Sequence, residues 1–434
     1  MFQKGSKKSI RAWAFYDWAN SVYSLVISTA VFPIYFESIT SQNQGSISLF
    51  GFDFEPTALY SYSLSFSFFV VAFMSPILSG IADYTGSKKK FMRFFCYLGG
   101  ISVMMLFFFD SIDTVWIGLI FSVLASIGFW SSIVFYNSFL PEVAYPDQQD
   151  AASAKGFMFG YIGSLFLLGF NLFMIMSPDT FGIESSTLPS RISFLMVGLW
   201  WMGFAQVTFA KLPDNVHHRK PNKDYILKGW NELRLVFVEI KTQRSLKLLL
   251  ISFFFMSIGV QTIILLASVF GAKELGLGTT DLIITIMMVQ VWGILGAFAF
   301  SRFSMRFGNL KALKTTIFFW TAACFSAYFL REDDPNLIFK FYGLGALIGI
   351  SLGAIQSLAR SSYSKLIPET TKDLATYFSF FDVTEKIAIV FGTFIFGLVV
   401  AVTGSMRASI LILAIFFVLA FAVLSQIKRE EKLS

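Results

Sequence analysis

Charge, cysteine and histidine are all scarce in this chain, and each shortage removes a class of function. Asp, Glu, Lys and Arg make up 14% of its 434 residues, against about 25% in an ordinary soluble domain. With 55% hydrophobic residues and a mean hydropathy of +0.67, the composition is that of an integral membrane protein. The two cysteines, Cys96 and Cys324, each fall in a long apolar run, so neither a disulfide framework nor a thiolate metal centre is expected. The two histidines, His217 and His218, stand beside Arg219 and Lys220 in a polar stretch and read as solvated. No Gly-x-x-x-x-Gly-Lys-Ser/Thr phosphate loop occurs, and no triad or metal-ligand spacing. An ATP-driven pump and a membrane hydrolase are disfavoured accordingly, and no metal or other cofactor is expected.

What the chain has is apolar length. A bilayer-spanning helix needs roughly 20 apolar residues. Runs of that kind fall near 11–36, 57–82, 91–110, 114–138, 153–177 and 190–211, then near 246–271, 281–301, 312–330, 336–364, 374–402 and 406–427. The expected fold is all-α, with twelve transmembrane helices in two pseudo-symmetric six-helix bundles. The boundaries are 1–212, a cytoplasmic linker at 213–245, and 246–434. The first run is too long for a signal-peptide core and reads as retained.

Lysine and arginine set the orientation. With the N-terminus placed in the cytoplasm, nearly all of them gather on the inner side; Arg191, Lys273, Arg331, Lys340 and Arg407 stay outside, and Lys386 falls within a span. Such a bias places both termini inside. The net charge of +7 therefore reflects topology and lipid headgroups, with no nucleic-acid partner implied.

Two echoes support a duplication. "DYTGSKKKF" (Asp83–Phe91) follows the second span and "MRFGNLKAL" (Met305–Leu313) the eighth; "FLPE" (Phe139–Glu142) ends the fourth and "LIPE" (Leu366–Glu369) the tenth. In the linker, Ile226, Trp230, Leu233, Phe237 and Ile240 recur at helical spacing, predicting an amphipathic helix lying on the inner membrane surface. Glycines 343, 345, 349 and 353 lie in an apolar run and read as close helix packing.

"GIADYTGSKKKF" resembles the loop signature of the major facilitator superfamily, with Asp83, Gly86, Lys88 and Lys89 at the matching places. Ser79 stands where that signature has its first glycine, Tyr84 replaces a basic residue, and Met305 replaces the aspartate of the second copy. "FYDWANSVY" (Phe15–Tyr23), "FYNSFLPEVA" (Phe135–Ala144), "KGFMFGYIGS" (Lys155–Ser164) and "GAIQSLARSSYSKLIPE" (Gly353–Glu369) are similar to segments of one branch, the vacuole-effluxer-like facilitators related to autophagy-linked amino-acid effluxers. The resemblance covers nearly the whole chain. It implies the twelve-helix facilitator fold, solute transport, a cavity lined by spans 1, 4, 7 and 10, and a monomer.

Charges at bilayer depth are costly and mark pathways. They are Asp17 in the first span, Arg360 near the inner end of the tenth, and Asp382, Glu385 and Lys386 in the eleventh. Asp382 and Lys386 are four residues apart and pair locally. Asp17 has no partner on its own helix, so Arg360 or Lys386 must supply one. Three readings of Asp17 stay open: half of an inner gate, a protonatable coupling site, or a permanent packing pair. Asn20, Tyr23, Asn137, Gln261, Gln290 and Gln356 add neutral polar groups for a solute. Asp83, Gly86, Lys88 and Lys89, with Arg306 and Gly308 in the second copy, are assigned to gating at the cytoplasmic rim.

The expected function is secondary active transport of a small polar, amino-acid-like solute by alternating access, in the efflux direction, with proton coupling open. The alternatives are a sugar, drug or metabolite transporter, or a non-transporting scaffold or lipid scramblase on the same fold. No enzyme is expected. The expected site is the bacterial inner membrane, or the vacuolar membrane in a eukaryote.

Overall fold

The computed structural model describes residues 3–40, 47–49, 52–54, 56–213 and 225–427. His217, His218 and the basic residues near the C-terminus lie outside the described residues. Helix α1 runs from Lys7 to Thr40. Ser6 caps it, its hydroxyl accepting from the Ser9 amide at 3.2 Å. A short antiparallel hairpin, β1 (Ile47–Leu49) and β2 (Phe52–Phe54), follows. The first bundle continues with α2 (Pro56–Thr85), α3 (Lys88–Met105), α4 (Val115–Ser138), α5 (Gln149–Met176) and α6 (Leu188–Phe209). After the linker helix α7 (Tyr225–Thr242), the second bundle comprises α8 (Arg244–Leu275), α9 (Thr279–Phe307), α10 (Asn309–Tyr328), α11 (Leu337–Leu366), α12 (Leu374–Thr403) and α13 (Met406–Ser425).

Among the described residues, eleven helical segments are long and apolar enough to cross a membrane. The twelfth, α10, carries Lys311 and Lys314 in its first turns and packs against α11 and α13. The chain is a multi-pass integral membrane protein. Each bundle has its own apolar core: Trp13, Phe95, Phe109 and Trp201 are buried in the first, and Phe253, Trp320, Tyr363 and Phe417 in the second. Large apolar side chains such as Phe69, Phe94, Phe166, Phe318 and Phe394 face outward. In water such a surface would aggregate; in a bilayer it is the solvent-matched face.

Small residues decide how closely helices approach. A Cβ on Gly353 would lie 2.0 Å from the Gly293 carbonyl oxygen, so α9 and α11 touch backbone to backbone there. Gly349 meets the Val289 carbonyl of α9 the same way and Gly345 meets the Thr285 methyl, whereas Gly343 faces open space.

The bundles meet along a seam where α5 packs on α9 and α11, and α12 packs on α2 and α4. The side of the molecule carrying α7 and the start of α1 is the linker face. Helix α7 does more than lie flat: Val236 and Ile240 are buried, and Phe237 stacks on Phe380 of α12 at 5.8 Å while α7 runs along α2. Trp230 and Phe237 keep 57% and 44% of their surface exposed. The apolar stripe expected to face lipid is therefore divided between the protein and its surroundings, because the seam at α2 and α12 offers a groove for one edge of the helix. The side chain of Ile226 lies outside the described residues.

Replacing Gly353 by leucine is expected to lower the unfolding temperature of the purified protein by several degrees, with Gly343→Leu close to wild type; fluorescence-detected thermal melts compare the two.

Candidate functional site

Asp17 and Arg360 meet at the centre of the seam. Asp17 lies on α1, ten residues from its start, and Arg360 lies on α11, six residues from its end. The Arg360 Nη1 and Nη2 atoms stand 3.3 and 3.4 Å from Asp17 Oδ2, and the Tyr136 hydroxyl donates to the same oxygen at 2.8 Å. Arg360 also donates to Asn137 Oδ1 (3.2 Å), to Ser153 Oγ (2.9 Å) and to the Ser153 carbonyl (2.8 Å). Its guanidinium lies over the rings of Phe157, Trp13 and Tyr136. Every one of these partners belongs to the first bundle. Arg360 is 4% exposed, and so buried a cation persists only with its donors satisfied. Gly156 makes the seat: a Cβ there would fall 2.3 Å from Asp17 Oδ2 and 2.9 Å from both Arg360 Nη2 and the Tyr136 hydroxyl.

Two further bridges cross the seam closer to the linker face. Asp83, at the end of α2, accepts from the Ala375 amide (3.1 Å) and from the Thr376 amide and hydroxyl (2.7 and 2.8 Å), closing the N-terminus of α12. The carboxylate sits at the positive end of that helix. Asp150, in the first turn of α5, pairs with Lys365 at 2.8 Å and accepts from Asn309 and Ser304 at 2.8 Å each. Asn309 accepts in turn from Lys365 at 2.9 Å.

Beyond Asp17 and Arg360 a cavity of about 370 Å³ lies between the bundles. Asp17 and Arg360 border one end, and Thr29, Leu64, Leu265 and Phe341 border it towards the face opposite the linker. All these elements have one geometry in common: the seam is bridged on the linker side and parted on the other. Along the cavity α1 leaves α-helical winding, forming a π-helix from Tyr23 to Val31. The Thr29 hydroxyl donates to the Ser24 carbonyl five residues back at 2.9 Å, and Ser24, Ser28 and Thr29 line the space. Such wide turns often mark working segments of a helix.

The α12 charges form a second cluster. The Lys386 Nζ lies 2.9 Å from Asp382 Oδ1 and 3.3 Å from Glu385 Oε2. It also sits over the Trp130 ring of α4 at 3.4 Å from the centroid, reaching across the seam. Gln261 of α8 donates to Glu385 Oε1 at 2.6 Å.

Several expected residues converge on the cavity: Asp17, Asn20, Asn137, Gln261, Gln290, Gln356, Arg360 and Glu385 border it. Gln356 accepts from the Tyr161 hydroxyl of the other bundle at 2.9 Å. Asp382 and Lys386 lie buried behind Glu385. Tyr23 was expected in the solute cradle; it packs in the first core against Phe129 and Trp201 and does not border the cavity, although Phe129 does. At the rim, Asp83 crosses the seam, whereas Lys88 pairs with Glu142 and Lys89 donates to the Leu212 carbonyl at 2.9 Å, both within the first bundle. Arg306 is exposed, its guanidinium over the adjacent Phe307 ring; at that level the seam is bridged by Ser304 and Asn309 instead. Gly86 and Gly308 hold positive φ, 68° and 87°, at the tight turns between α2 and α3 and between α9 and α10. Asp150, Lys365, Asn309, Tyr136, Ser153 and Trp130 were not singled out from the sequence. Asp150 and Asn309 stand at helix starts, where a short polar residue reads as ordinary capping; Trp130 is one aromatic among many.

The architecture is that of a major facilitator. The crystal structure of the facilitator FucP in the outward conformation superposes with a TM-score of 0.71 over 98% of this chain and 99% of that one, at 15% identity. The human organic anion transporter MFSD10 gives 0.71 over 97% and 100%, at 13% identity. Among curated proteins, an uncharacterised MFS-type transporter, YxiO of Bacillus subtilis, is 31% identical over 98% of this chain and 95% of its own length. Autophagy-related protein 22 of Coccidioides immitis is 23% identical over 95% and 85%. The family model described as vacuole effluxer Atg22-like matches residues 5–433, and the chain belongs to that family. It is a transporter of the major facilitator type.

A methyl group at position 156 is expected to unseat Asp17 from Arg360. Gly156→Ala, combined with Ser357→Cys as reporter, should label with a thiol reagent from the linker side several-fold faster than Ser357→Cys alone. Gly169→Ala, where nothing lies within 4 Å, should leave the rate unchanged.

Proposed function

We propose that the chain carries a small polar, amino-acid-like solute across the membrane by rocking of its two bundles about the central cavity. The observation that carries this reading is the cavity itself, bridged by Arg360, Lys365 and Asp83 on the linker side and parted on the other. Positive-inside bias assigns the linker face to the cytoplasm, which makes this conformation outward-facing with its inner gate shut. Asn20 Nδ2 and Ser164 Oγ border the cavity, buried and without hydrogen-bond partners. Polar groups left so are ordinarily met by water or ligand, and they suit a polar solute. Membership of the Atg22-like vacuole effluxer family supports an efflux direction, and the resemblance to autophagy-linked amino-acid effluxers supports an amino-acid-like solute. The proposed membrane is the bacterial inner membrane, or the vacuolar membrane in a eukaryote, with the monomer as the working unit.

Asp17 is the half of the inner gate that stays with the first bundle, and it is the proposed proton-coupling group: protonation removes the charge that holds Arg360. The sign follows directly. A proton on Asp17 weakens the closed inner gate, so lowering the pH should favour the inward-facing state, and Asp17→Asn should mimic that state at every pH. Flux of labelled amino acids into proteoliposomes, measured against pH, should show a pH-dependent rate in wild type and a flat profile in Asp17→Asn. An unchanged profile would remove Asp17 from coupling. A disulfide between Ser153→Cys and Ser357→Cys should stop flux, and reduction should restore it. Undiminished flux with the crosslink in place would end the rocking model, and movement of labelled lipid without solute would replace it with a scramblase.

A further inference from the structure

The charges around the cavity do not cancel. Arg360 answers Asp17. On α12, however, two carboxylates share one ammonium: Lys386 stands 2.9 Å from Asp382 and 3.3 Å from Glu385. Asp382 takes the closer contact, and its second oxygen has no hydrogen-bond partner although the residue is 4% exposed. Glu385 is left with the longer ion-pair contact and with the Gln261 amide at 2.6 Å. Of the three, Glu385 is the one that borders the cavity, with 18% of its side chain exposed against 1% for Lys386. The wall therefore carries one more carboxylate than its lysine can match at full strength, and a cation arriving at Glu385 would meet that need.

We propose that Glu385, oriented by Gln261, is the seat for a cationic ammonium group on the solute, and that Lys386 is the tethered counter-ion held there between binding events. This rests on the reading of the cavity as a solute site and specifies the charge of the solute end that enters α12. The chemistry of the wall selects among cations. Among the described residues no group of three His, Cys, Asp or Glu side chains is placed to hold a metal ion, and hard divalent ions demand six or more oxygens. An ammonium needs less: one carboxylate and aromatic faces serve it. Lys386 shows the same solution in covalent form, its Nζ between Asp382, Glu385 and the Trp130 ring. Neither cation at the cavity is free to seat an anion, since Lys386 is covered by Trp130 and Arg360 already donates to Asp17, Asn137 and Ser153; a carboxylate on the same solute is left the neutral Asn20 amide and Ser164 hydroxyl. The rest of the wall, with Phe68, Ile133, Leu344 and Ile348, is apolar and suits an aliphatic remainder.

The test uses three probes of one carbon skeleton on the purified full-length protein: isoamylamine, L-leucine and 4-methylpentanoate. Isoamylamine and L-leucine should raise the unfolding temperature in a saturable way, and 4-methylpentanoate should not. Glu385→Gln keeps the volume and a partner for Gln261; it should weaken the apparent affinity for isoamylamine roughly tenfold or more, as expected when a charged hydrogen-bond partner is removed. Glu385→Asp, which keeps the charge, should retain a reduced shift. The ligand-free melting temperatures report whether each variant folds. Isoamylamine stabilisation that depends on Glu385, without L-leucine flux in proteoliposomes, upholds the seat and retires the amino-acid reading. No shift with either amine, an equal shift in Glu385→Gln, or stabilisation by 4-methylpentanoate alone overturns the proposal.

Discussion

The structure turns on one guanidinium. Arg360 is carried by the second bundle, yet its hydrogen-bond acceptors and stacking rings all come from the first. It is a plug in a socket made by α1, α4 and α5. Taking a cation out of water is expensive, and the socket offsets that cost only while it is intact. The contact to Asp17, at 3.3–3.4 Å, is longer than the Tyr136 bond to the same carboxylate at 2.8 Å. Withdrawn from the socket, Arg360 would leave Asp17 still held by a donor on its own side. The joint thus separates between bundles without dismantling either one.

The two carboxylate bridges nearer the linker face repeat this division of labour. The first bundle contributes carboxylates at three points of the seam, Asp17, Asp83 and Asp150, and the second contributes their cross-seam donors: Arg360, Lys365, Asn309, Ser304 and the amides that open α12. Complementary signs on two rigid bodies fix their register and disfavour slipped alternatives. On α12 the pattern inverts, with acids and a lysine on one helix and an aromatic ring opposite.

The fold was legible because lipid imposes it. A long apolar run has to be a helix where water is absent, and the twelve expected runs match twelve observed helices to within a few residues at most ends. Asp17 with Arg360, and Asp382 with Lys386, were found because charge at bilayer depth stands out against an apolar background. Asn137, Gln261 and Gln356 followed from the resemblance, which assigns their helices to the cavity. The misses share a cause. Asp150 and Asn309 sit at helix ends near the membrane surface, where polar residues are ordinary, and only the packing of α5 on α9 and α11 reveals that they meet. Lys88, Lys89 and Arg306 lie in the expected loops, but a loop position does not say which bundle a side chain turns towards. Tyr23 sits apart for a related reason, since it enters the wide-turn segment and packs on the core side of α1.

That segment has a mechanical consequence. The lower end of α1 is tied to the seam through Asp17, and its upper end is tied to the first bundle by the Tyr35 hydroxyl, which donates to the Phe109 carbonyl at 2.6 Å. Between the two anchors lie nine residues in π winding, a form that seldom extends beyond a single turn. The first helix is therefore a shaft with slack in its middle. Were the ion-paired end displaced, α1 would give first in that segment, where Ser24, Ser28 and Thr29 border the cavity.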